Sequence, residues 1–207
     1  MSAERESASA LPISAVVPGL LLVFGIESLV LARLVAYTPR LQVLLSALMT
    51  AAPWAAIWCS RKGIGALGYK RERILVHLGW GMVAGGFWRV ASVLLNLLGL
   101  ELTGILQGSL QILTHMLWIP LIEETFFRGY LGRALIRRWG FVSGVLLQAA
   151  AFALLPSHVS QGGWSILSIF AFGLLAGWLM HQKDSIWAVW GAHAFANFLP
   201  LLAQAVW

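Results

Sequence analysis

Residues 13–36 read ISAVVPGLLLVFGIESLVLARLVA, with Glu27 and Arg33 as the only charges. A helix of about 20 mostly apolar residues crosses the hydrocarbon layer of a bilayer, so this run is long enough to span. Helix is the only assignment that suits it. Lipid offers the backbone no water to bond, and the run lacks the ten-residue alternation of a barrel strand. Working outward, runs of the same kind stand at 41–59, 74–99, 103–127, 141–158, 162–180 and 185–206. Turn-forming residues separate them: Thr38-Pro39, Gly63 to Gly68, Gly140, Gln161-Gly162-Gly163 and Lys183-Asp184. The pattern predicts an all-α fold, a polytopic transmembrane helix bundle of about seven spans.

Composition agrees. The chain has 207 residues, 59% hydrophobic and 11% charged, and its mean hydropathy is +0.82. Soluble domains carry about 25% charged residues; this chain lacks the polar surface to cover itself in water. The length suits a single integral membrane domain, 1–207, that begins with a polar tail at 1–12. That tail holds Glu4, Arg5 and Glu6 and lacks the basic start of a secretory signal, so the first run is expected to stay as an anchor. The lone cysteine, Cys59, excludes an internal disulfide.

The charges orient the bundle. Arg61, Lys62, Lys70, Arg71 and Arg73 crowd the second loop, Arg128, Arg133, Arg137 and Arg138 the fourth, and Lys183 stands in the sixth. Alternate loops are poor in Lys and Arg, and cytoplasmic loops collect them. The expectation is N-terminus in, C-terminus out, in a bacterial inner membrane. The net charge of +6 is then loop topology, with the lipid bilayer as partner and no nucleic acid. The two halves show no repeat, against a small transporter.

An ionisable side chain at membrane depth is expensive and marks a site or a paired contact. In Ile122-Glu123-Glu124-Thr125-Phe126-Phe127-Arg128 the adjacent glutamates point about 100° apart. Glu124 and Arg128 stand at i and i+4 in the favourable order for a pair. Glu123 is left without a local partner, and a carboxylate in a low-dielectric pocket becomes a usable general base. His193 and Asn197 share a helix face, where an imidazole orients or protonates and an amide donates to a developing oxyanion. The same residues also suit a structural ion pair and an interhelical hydrogen bond. His158, after Pro156-Ser157, reads on its own as an interface histidine. A hairpin turning at Trp139-Gly140-Phe141 would nevertheless lay it beside Glu123, and Pro120 would bend the fourth helix just before the glutamates. Arg89 and Asn96 are expected to pair structurally with Glu27 or Asp184, and Gly85-Gly86 to allow close helix contact.

Glu-Glu-x-x-x-Arg, a histidine ending a helix, and His-x-x-x-Asn, in this order over residues 118–200, resemble the CPBP family. That family, also called ABI, holds the CaaX prenyl endopeptidases and their bacterial and archaeal relatives. Phe172-Gly173-Leu174-Leu175-Ala176-Gly177, followed by Ser185-Ile186-Trp187, is similar to the family's pattern too. In the usual Phe-x-x-x-His motif Leu154 takes the Phe position, keeping an apolar wall without the ring. The resemblance implies a glutamate-dependent intramembrane protease with a catalytic core at 103–200. Glu123 would activate a water with help from His158, His193 and Asn197 would hold the oxyanion, and Glu124 and Arg128 would position the site. It implies a membrane-anchored protein or peptide as substrate, cut by hydrolysis or by transpeptidation, and no cofactor. Zinc on Glu123, His158 and His193 is the runner-up, although no His-Glu-x-x-His helix is present. A non-catalytic scaffold or bacteriocin-immunity protein is the competing reading. Oligomeric state is left open by the sequence.

Overall fold

The computed structural model describes residues 10–97 and 113–206, with side chains described except at 95–97, 115 and 200–206. Every element among them is helical. Four helices are long and apolar enough to cross a membrane: α1 (Ile13–Leu31), α2 (Pro39–Cys59), residues Ile74–Leu94 of α3 (Ile74–Leu97), and α7 (Gly163–Lys183). Thr38 opens α2 by accepting a bond from the Leu41 N–H, with Pro39 in the first turn, where its missing N–H costs nothing. The first part of the fourth run, 103–112, and Asn96 of the third lie outside the described residues or side chains.

The fifth run corrects the expectation of one continuous span over 141–158. Helix α5, Phe141–Ala153, stops after 13 residues. At 1.5 Å per residue that is about 20 Å, short of the roughly 30 Å hydrocarbon layer. The cause is Pro156. It forces the residue before it out of the helical region, and Leu155 is extended at φ −54°, ψ 138°. The chain restarts as a single turn, α6 (Pro156–Val159), which carries His158.

The fourth run is a composite helix, α4, over 114–139. Two π-helical stretches, Thr114–Trp118 and Thr125–Gly132, flank the α-helical Ile119–Glu124 that bears both glutamates. The first wide turn precedes Pro120, whose ring and missing N–H an ordinary α-turn would not accommodate. Wide turns of this kind gather at functional sites. The hairpin into α5 turns at Gly140, at φ 84°, in the left-handed region that favours glycine.

Small residues set the distances between helices. A Cβ at Gly81 would lie 2.1 Å from the Ala188 carbonyl oxygen, and one at Gly85 would lie 2.2 Å from that of Ala192. The partner helix is α8 (Ile186–Val206), on which Ala188 and Ala192 are fully buried. Small residues one turn apart on two helices let the backbones touch. This contact is the seat of His193, the next residue along. At one end Lys70 and Arg133 both pair with Asp184, and the Ile186 N–H donates to the Gly68 carbonyl. Asp184 is therefore held by Lys70 and Arg133, not by Arg89 as one of the expected pairings had it. At the other side of α4 the Tyr130 hydroxyl donates to the carbonyls of Ala15 and Val16, tying α4 to α1.

Candidate active site

Helices α4 and α8 bring four of the predicted residues into one buried chain. Glu124 and Arg128 are fully buried, with Arg128 Nη1 donating to Glu124 Oε1 at 3.2 Å and Nε 3.2 Å from Oε2. A buried guanidinium needs a matching anion, so Glu124 acts as its carboxylate. The same Oε1 lies 2.7 Å from His193 Nδ1. A carboxylate only accepts, so the hydrogen sits on Nδ1 and fixes the imidazole's orientation. The opposite nitrogen, Nε2, then faces Glu123 Oε2 at 3.8 Å. Among the described residues Glu123 forms no hydrogen bond or ion pair within its own helix. Its neighbour comes from α8.

His158 is held differently. Its Nδ1 lies 2.7 Å from the Phe152 carbonyl oxygen. That oxygen can only accept, so Nδ1 carries the hydrogen and Nε2 keeps the lone pair. The imidazole packs edge-on against the Phe152 ring, with centroids 4.7 Å apart. The hairpin brings the segment preceding His158 to Glu123: Leu155, Pro156, Ser157 and Glu123 line one cavity. No hydrogen bond or ion pair joins the His158 imidazole to Glu123 among the described residues. Asn197 is half-buried, one turn beyond His193 on the same face of α8.

Phe152 is the residue the sequence reading missed. It is buried, and its ring meets His158, His193 at 6.1 Å, Phe127 at 5.1 Å, and the Arg128 guanidinium at 4.2 Å. A guanidinium over an aromatic face gains cation–π attraction where water is absent. Leu154 forms no wall of the site. It is 52% exposed, in the turn after α5. The ring expected four residues before the histidine comes instead from six before it, because the helix ends at Ala153 and the chain turns back.

The cavity beside Glu123 measures about 50 Å³. Room for one water takes about 10–15 Å³, so the cavity is large enough to admit water. Its lining is mixed. Glu123, Tyr37, Ser46 and Ser157 offer polar groups, Leu45 and Met49 apolar ones, and Glu27 enters from α1. Among the described residues no group of three or more His, Cys, Asp or Glu is placed to hold a metal ion. His193 has one nitrogen committed to Glu124, and His158 one to the backbone.

Comparison with known proteins adds one finding. Residues 105–199 match the family described as type II CAAX prenyl endopeptidase Rce1-like. No curated protein and no solved structure matches the chain. The matched segment contains Glu123, Glu124, Arg128, His158, His193 and Asn197, and stops short of α1 and α2, which supply Glu27 and Tyr37 to the cavity wall.

Proposed function

We propose that this chain, whose residues 105–199 match the family described as type II CAAX prenyl endopeptidase Rce1-like, is a CAAX-type intramembrane protease that hydrolyses a peptide bond in a membrane-anchored protein or peptide. The observation that carries the reading is the buried line Arg128, Glu124, His193, Glu123, ending at a cavity sized for water.

Each group has a task its surroundings suit. Glu123 takes a proton from a water in the cavity, and the oxygen attacks the peptide carbonyl. His158 assists at that water through Nε2, the nitrogen its bond to Phe152 leaves available. His193, with Nδ1 held by Glu124, turns Nε2 to the reaction. Protonated on both nitrogens, it donates to the tetrahedral oxygen beside the Asn197 amide. Glu124 balances that imidazolium as well as Arg128. The chemistry asks for no metal. We place the machinery in a catalytic core at 103–200 within one integral domain of a bacterial inner membrane, with α1 and α2 closing the cavity.

The test compares protein termini in the membrane and secreted proteomes of cells carrying wild type or Glu123→Gln at matched expression. The expected result is a small set of proteins that keep an extra hydrophobic tail or unprocessed end only in the variant. Identical termini in both strains, where the wild-type protein is abundant and needed, would replace the protease with a scaffold or immunity role.

A further inference from the structure

One buried acid has no part in this mechanism. Glu27 sits one turn before the C-terminal end of α1, 2% exposed, and its Oε2 is buried without a hydrogen-bond partner among the described residues. The expected pairing with Arg89 is not made. A buried carboxyl oxygen without a partner is expensive, and no structural partner among the described residues claims this one. Glu27 lines the same cavity of about 50 Å³ as Glu123. They reach it from different parts of the chain, α1 and α4. The cavity's other polar lining, including Tyr37, Ser46 and Ser157, brings no cation to neutralise a second anion. His193 stands beside Glu123, whereas nothing in the cavity lining brings a cation to Glu27, so the buried Glu27 carboxyl is the one that keeps its proton.

We propose that Glu27 is a further catalytic residue, the acid that hands its proton to the leaving amine across the cavity from the base Glu123. This rests on the hydrolytic reading above and completes its proton balance. Water gives one proton to Glu123 as its oxygen bonds to the carbonyl carbon. The C–N bond then breaks, its electron pair stays on nitrogen, and Glu27 supplies the proton that nitrogen takes. The proton on Glu123 returns to Glu27 through water in the cavity. The products are a carboxylic acid and an amine, with both glutamates restored.

Two measurements test it. The first uses a farnesylated CaaX-type peptide and its analogue with an ester at the scissile bond, with wild type and Glu27→Gln in proteoliposomes. An amine needs a proton to leave and an alkoxide needs it far less. The variant is therefore expected to lose about 10²–10⁴-fold on the amide, the usual worth of a general acid, and roughly tenfold or less on the ester. Equal losses on both substrates, or no loss, overturn the assignment. If wild type cleaves neither peptide, it is the substrate class that has failed, and the second measurement still decides. Infrared spectra of the purified full chain at neutral pH are expected to show a protonated-carboxyl C=O band that Glu27→Gln removes. A band unchanged in that variant means Glu27 is ionised and is no acid.

Discussion

The contact between α3 and α8 fixes where His193 stands, and Gly85→Ala tests that dependence. The new Cβ would meet the Ala192 carbonyl oxygen at 2.2 Å and its carbonyl carbon at 2.9 Å, against a floor of about 3.0 Å for real contacts. The obstacle is backbone, so no side chain can swing aside, and α8 must move away by at least the missing 0.8 Å. His193 follows Ala192 directly and moves with it. Its bond of 2.7 Å to Glu124 and its approach of 3.8 Å to Glu123 both depend on that register. A misplacement of about 1 Å at a reacting centre costs about 10²-fold in rate, or roughly 2.7 kcal/mol in the barrier. Stability suffers less. Overpacking costs about 1–3 kcal/mol, and Ala returns about 1 kcal/mol over Gly in a helix. The assay is the processing rate of the substrate identified by terminal proteomics, beside thermal unfolding in detergent. Gly79→Ala, where nothing lies within 4 Å, and Gly86→Ala, which meets only the Phe195 ring at 3.2 Å, serve as controls. The expected order is near-wild-type activity for both controls and a loss of about 10²-fold for Gly85→Ala with a fold that still forms. Full activity in Gly85→Ala would refute the claim that this contact sets the site.

Three further outcomes are expected. Phe152→Ala removes the ring shared by His158, His193 and Arg128 and should cost about 3–5 kcal/mol in detergent unfolding along with activity, whereas Leu154→Phe, on an exposed position, should stay within about 0.5 kcal/mol. Glu124→Leu strands a buried guanidinium and should cost about 3–5 kcal/mol; adding Arg128→Met should restore most of that stability but no cleavage, because His193 Nδ1 then has no acceptor at that position. Cys59, exposed at the end of α2 beside Arg61 and Lys62, should resist a membrane-impermeant thiol reagent in intact cells and react in inverted vesicles if the N-terminus is cytoplasmic; the reverse pattern would invert the topology.

What the sequence made legible follows from how far each cause reaches along the chain. Apolarity acts on each residue independently, so α1, α2, α3 and α7 could be read from runs alone, to within a few residues at most ends. The fifth run was misread because hydropathy counted Pro156 as one more tolerable residue, while its steric effect on Leu155 ended the helix. The π-helical stretches around the glutamates left no signal beyond Pro120. Gly85 was legible as a place of close approach, but not that Ala192 was what approached it.

The site divides along the same line. Glu124 with Arg128 was legible, since i,i+4 pairing is local. Which glutamate would claim His193 was not, because that choice depends on how α8 lies against α4. The answer changes the chemistry: Glu124 takes Nδ1 and thereby aims Nε2 at Glu123. Glu27 shows a different limit. Its charge in the middle of an apolar run was the plainest signal in the first 60 residues, and pairing it with Arg89 or Asn96 was the economical account. The Arg89 pairing needed that cation within reach, and Glu27 lines the Glu123 cavity instead. An acid turned toward another acid across room for water is costly as structure and useful as chemistry. That asymmetry makes α1, outside the matched segment, part of the reaction centre rather than only its wall.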